Sequence, residues 1–260
     1  MRFVSAALCL MIVGKLYDLH HGETRCEPVQ LTSFALFMVN PFTLVQRRMK
    51  DEPTPPARTN LIRLGRGAVI FALGEGVGAL AFGARWETHS FALEHIAKIL
   101  CSMIAIYGGA ELAIAAWRLI GLRGRAPMHN FFTARTPAEF WRRYNRMVSQ
   151  FFFENVFRRS GLRRSPFLAT MVVFLLFGAM HEYLFVISIG RIEGFALAFF
   201  VIQGLAVAVT LHRDPQGTRA LGWVSATIGF NLVTSILYFA ALDRLGPYYS
   251  DALPFWLSPR

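Results

Sequence analysis

The chain has 260 residues, of which 54% are hydrophobic and 17% charged, and Phe alone occurs 24 times. A soluble domain carries about a quarter charged residues and a disordered chain far fewer apolar ones, so the composition excludes both and indicates a membrane protein. Lys and Arg number 27 against 16 Asp and Glu, a net +11 that serves either topology or an anionic ligand.

A bilayer core needs about 20 mostly apolar residues per helix. The first apolar run, 3–16, has the length of a signal-peptide core. Lys15, Leu16, Tyr17 and Asp18 stand where a small-residue cleavage site belongs, so it is read as a helix. Six further windows follow at 31–45, 65–84, 99–120, 167–189, 195–211 and 221–242. Long windows without strand alternation exclude a barrel. The expectation is an all-α polytopic membrane protein, one domain over 1–260, with about seven or eight transmembrane helices plus an amphipathic interfacial helix. The long non-spanning stretch is 121–165, and connections of that length are usually functional.

The basic residues cluster in loops. Arg47, Arg48, Lys50, Arg58, Arg63 and Arg66 lie in 46–66, which Pro53, Pro55 and Pro56 keep from being helical. Eleven arginines, from Arg118 to Arg164, lie in 118–165. The loop 18–30, with Asp18, Glu23, Arg25 and Glu27, and the loop 85–94, with Arg85, Glu87 and Glu94, are nearer neutral. This alternation predicts a multi-pass protein with the N-terminus and the basic loops cytoplasmic. Most of the charge is then topology, and no nucleic-acid partner is expected. Cys9, Cys26 and Cys101 are too far apart in sequence for a C-x-x-C motif.

Thr136 and Pro137 open a predicted helix over 138–157. At 100° per residue Phe140, Trp141, Tyr144, Val148, Phe151, Phe152 and Val156 share one half, and Arg142, Arg143 and Arg146 the other. That is an amphipathic helix lying at the interface. Asn145 projects from the edge of the apolar half, where it either ties the helix to a neighbouring backbone or serves a site.

The run 167–189 carries His181 and Glu182 past its middle. Ionisable residues at that depth cost about 2.5–3.5 kcal/mol by insertion scales and mark function by default. A buried imidazole is expected to be neutral, the form able to accept a proton; the alternative is an interhelical hydrogen bond. Glu182, about 100° around the helix, either orients a site or bonds another helix. Gly178 allows a substrate or a helix to approach closely. Asn40, Glu75, Glu111 and Asn231 are further polar groups in spans, and Glu94 and Lys98, four apart, are expected to pair. His20 and His21 fall in the outer loop and His129 in the inner one. No H-x-x-x-H, H-E-x-x-H or G-x-S-x-G spacing occurs, so neither a metal nor a serine nucleophile is expected.

The segment 139–149, EFWRRYNRMVS, resembles the F-W-x-x-W-N-x-x-V segment of membrane-bound O-acyltransferases, with Tyr144 replacing the usual Trp. The segment 178–183, GAMHEY, resembles the G-x-x-H-E motif of the wax-synthase branch. The likeness covers roughly residues 135–190, falling within an interfacial motif segment (121–165) and a histidine helix (166–190). It implies acyl transfer from acyl-CoA, as co-substrate and without a cofactor, to the hydroxyl of a membrane lipid or alcohol. By this resemblance His181 is the general base and Asn145 binds the thioester carbonyl or its oxyanion, while Trp141 and Tyr144 shape the pocket and Glu182 supports it. Arg142, Arg143 and Arg146, or Arg158, Arg159, Arg163 and Arg164, face the coenzyme A phosphates. The acceptor is a long-chain alcohol, or else a sterol, a diacylglycerol or a secreted small molecule. A non-catalytic lipid-binding or proton-linked transporter, with His181 and Glu182 as its proton pair, is the reading from another class.

Overall fold

A computed structural model describes residues 2–22, 30–86, 89–158 and 161–250. Glu23, Arg25, Cys26, Glu27, Glu87 and Arg159, with the side chain of Arg163, lie outside the described residues. The described elements are helical. Five are long and apolar enough to cross a membrane: α1 (Arg2–Gly22), α3 (Ala57–Gly83), α4 (Phe91–Leu119), α7 (Pro166–Ile189) and α9 (Arg219–Asp243). Two apolar helices are shorter, α2 (Leu31–Val39) and α8 (Phe195–Thr210).

The window 31–45 is not one span. α2 has nine residues, about 13 Å of helix, against a core of about 30 Å. Asn40 precedes Pro41 and turns extended (φ −76°, ψ 109°), as a residue before proline prefers. The freed α2 carbonyls are met by Lys15 of α1, buried, whose Nζ donates to the carbonyls of Phe37 (2.6 Å), Met38 (3.0 Å) and Asn40 (2.6 Å). A cation in an apolar run is thereby accounted for, since a helix C-terminus presents unpaired carbonyls and a negative dipole end.

One turn later Asp18 accepts from the backbone N–H of Gln46 and the amide of Asn155, both at 2.7 Å. At the other end of α1, Phe3 packs on Phe185 near the C-terminus of α7. The start of α1 and the basic loops therefore lie toward opposite ends of the bundle. α8 also joins the two ends, because Glu182 holds its start while Thr210 at its close accepts from the N–H of Ala138.

α3 and α4 pack backbone to backbone. A Cβ on Gly67 would meet the Leu112 nitrogen at 2.7 Å, and Cβ atoms on Gly74 and Gly108 would collide with the backbones of Ala105 and Phe71. Glu111 on this pair is buried and bonded to Arg66 and Arg63, whereas Glu75 is exposed on α3. Glu94 and Lys98 pair at 2.6 Å as expected, and Lys98 also donates to the Tyr248 carbonyl.

The predicted helix over 138–157 is broken into α5 (Pro137–Tyr144), α6 (Arg146–Phe152) and a π-turn (Phe153–Phe157). Thr136 caps α5 as predicted, accepting from Glu139 N–H at 3.1 Å. The break is at Asn145 (φ −132°, ψ 74°), whose side chain accepts from Val148 N–H and so starts α6. Backbone groups released there find partners in the preceding segment: His129 N–H donates to the Arg143 carbonyl and Arg146 N–H to the Pro127 carbonyl, both at 2.9 Å. With those needs met, α6 brings Phe152 against Phe177, ring centroids 4.7 Å apart, about 16 Å along α7 from its start.

Candidate active site

α4, α5, α7, α8 and α9, with Asn145 at the α5–α6 break, enclose a cavity of about 520 Å³. Its wall is mostly apolar and follows α9 from Thr227 to Leu242, about 22 Å of helix. Asn145, Trp141, Tyr144 and His181 all line it.

Within α7, His181 Nδ1 lies 2.9 Å from the Phe177 carbonyl. A carbonyl only accepts, so Nδ1 carries the hydrogen and Nε2 presents a lone pair in the neutral tautomer. Nε2 has no hydrogen-bond partner among the described residues. The ring is held between Phe177, Phe200 (4.5 Å between centroids) and Tyr238. Gly178, one turn away, is closed by a helix and not left for substrate: a Cβ there would lie 2.8 Å from Leu197 and 3.2 Å from Phe200 on α8.

Glu182 does not line the cavity. It is buried and accepts from the backbone N–H groups of Glu193 (3.0 Å), Gly194 (2.6 Å) and Leu197 (3.3 Å). A carboxylate there caps the unpaired N–H groups of α8 and meets the positive end of its dipole. Of the two readings left open for it, this is the structural one.

Asn145 has its carbonyl oxygen committed to Val148, which leaves the amide N–H groups for the cavity. Trp141 is anchored from outside the motif, its indole donating at 2.9 Å to Gln203 on α8. Gln203 is fully buried and donates on to Asn231 (3.1 Å) and Thr234 (2.8 Å) of α9. Sequence reasoning missed Gln203, although a lone amide in the apolar run 195–211 is the same signal that singled out Asn231.

The arginines separate. Arg143 is taken by Glu139 at 2.6 Å and by Asn130 and Thr133, and Arg158 by Glu154 at 2.8 Å. Arg142 and Arg164 are exposed. Arg146 is partly buried, and its guanidinium has no hydrogen-bond or ion-pair partner among the described residues. Burial and the nearby charges of Arg125 and Arg63 push its pKa below the usual guanidinium range, against the pull of Glu52.

An unpaired imidazole and a free amide, one from each of two segments 36 residues apart in sequence (181 − 145), thus face one apolar cavity. The model of the membrane-bound O-acyltransferase family, MBOAT, matches residues 77–240, which hold all of these groups. The chain belongs to the membrane-bound O-acyltransferase family. No curated sequence matches it. MBOAT proteins are membrane acyltransferases, and the apolar helices agree with an integral multi-pass protein.

Proposed function

We propose that this MBOAT protein is an acyl-CoA-dependent O-acyltransferase of wax-synthase type, moving a fatty acyl group to a long-chain alcohol. The observation that carries the reading is the His181 imidazole, tied at Nδ1 and open at Nε2 to an apolar cavity it shares with Asn145. Nε2 takes the proton of the acceptor hydroxyl as that oxygen bonds to the thioester carbonyl carbon, a general-base role worth typically 10²–10⁴-fold. The carbonyl oxygen becomes an oxyanion, which the Asn145 amide stabilises. Collapse re-forms the carbonyl and breaks the C–S bond, and coenzyme A leaves as a thiol by taking the proton back from His181. Trp141 and Tyr144 shape the pocket. Among the arginines, Arg146 is the best suited to a phosphate, because a partly buried cation pressed by two others gains most from an anion.

The apolar wall favours an alkyl acceptor over a polar secreted one. A sterol or diacylglycerol keeps the chemistry and changes only the acceptor. A proton-linked transporter using His181 with Glu182 is disfavoured, since Glu182 is spent on α8.

The test is transfer from labelled acyl-CoA to a panel of alcohols by purified protein. Wild type is expected to form ester, His181→Ala to lose at least about 10²-fold, and Arg146→Ala to raise KM for acyl-CoA with kcat little changed. Full activity in a folded His181→Ala protein would sink the catalytic assignment.

A further inference from the structure

A second polar group beside the imidazole is also without a partner. Tyr238, on α9, stands edge-on to His181 with ring centroids 5.7 Å apart. Phe185, Phe199 and Phe239 pack around its ring, so the phenol is fixed in place. Its hydroxyl, like that of Tyr144, has no hydrogen-bond partner among the described residues, and both side chains line the cavity. A tyrosine packed among aromatic rings ordinarily finds a partner for its hydroxyl, and here the hydroxyl is left to the cavity. A cavity that holds such a donor open beside a free imidazole is built for a ligand with an oxygen at that point.

We propose that Tyr238 is a further catalytic residue, whose hydroxyl donates to the oxyanion that forms on the acyl carbonyl. The proposal rests on the reading of His181 as the base. As the acceptor oxygen bonds to the carbonyl carbon, the π pair moves onto the carbonyl oxygen. Tyr238 O–H hydrogen-bonds that charge without giving up its proton, alongside the Asn145 amide. On collapse the pair returns, the C–S bond breaks, and Tyr238 is unchanged. Packing fixes the phenol before substrate arrives, so the donor costs no reorganisation at the moment of reaction.

Tyr238→Phe keeps the ring and its packing and removes only the donor. The expected result is a fall in kcat of about 10²–10³-fold, the size seen when one oxyanion donor is lost, with KM for acyl-CoA unchanged. A kcat within about twofold of wild type, or a rise in KM with no loss of kcat, overturns the assignment. If the Phe protein does not fold, a series of fluorinated tyrosines at 238 decides, since each keeps the ring and the O–H while making the donor stronger. Then kcat is expected to rise with the acidity of the phenol, and a kcat that does not vary across the series overturns the proposal. Inactive His181→Ala with unimpaired Tyr238→Phe removes this assignment and leaves the base intact. Full activity in His181→Ala removes the base itself.

Discussion

His181 and Glu182 are neighbours in the chain and have separate tasks, because successive helical residues point about 100° apart. One faces the cavity and the other caps α8. Their adjacency thus ties the cavity-facing residue to the helix that walls the cavity. Gln203 does the equivalent for Trp141, linking α5 to α8 and α9 through three hydrogen bonds. Gln203→Leu preserves the side-chain bulk and leaves the indole and Asn231 without that partner. We expect a loss of about 1–2 kcal/mol, read as a lower melting temperature in detergent. Acyl transfer is expected to fall about tenfold or more, because Trp141 loses the contact that positions it. Unchanged activity would mean that the indole is held by packing alone.

At the scale of elements, breaks in helices matter more than the helices. Periodicity in 138–157 correctly separates the aromatic half from the arginines, and it cannot reveal that Asn145 stops the helix. The stop depends on partners at Pro127 and His129, which belong to another segment. Asn40 is the same case, a break sustained by Lys15 and by the Arg123 carbonyl. The α3–α4 pair shows the opposite behaviour, two long helices held by close approach. Gly108→Val would drive a side chain into the backbone of Phe71, and overpacking of this kind costs about 1–3 kcal/mol or more. Gly76, which has open space around it, accepts Ala without loss and gains helix propensity. Thermal unfolding of both variants in detergent checks the contrast, and equal melting temperatures would refute it.

Across the whole molecule, the bundle has a basic end and an opposite end, joined by five long helices and α8. Labels at residue 2 and at Thr54 are expected to be accessible from opposite sides of a sealed vesicle, and labelling of both from one side would contradict the fold. The basic end is tied by Glu154 of the π-turn to Arg47, Arg48 and Arg158. Burial alone would raise the Glu154 carboxyl, but hydrogen bonds from Arg158, Arg48 and Arg47 prevail and hold its pKa at about 2. A depressed carboxylate stabilises the folded state above its ordinary pKa and loses that contribution as pH falls through the folded one. Wild type should therefore lose melting temperature as pH falls from about 4.5 towards 2, with Glu154→Gln lacking that component of the change. By itself the sequence determined the helical membrane class, most of the spans, and His181 and Asn145 as the polar exceptions, because hydropathy and periodicity are properties of adjacent residues. Only the tertiary structure decided that the helix in 31–45 stops at Val39, that the start of α1 lies opposite the basic loops, and that Glu182 faces away from the cavity. It also brought Gln203 to Trp141 and Tyr238 to His181. Those outcomes rest on contacts between residues far apart in the chain, which local pattern does not encode.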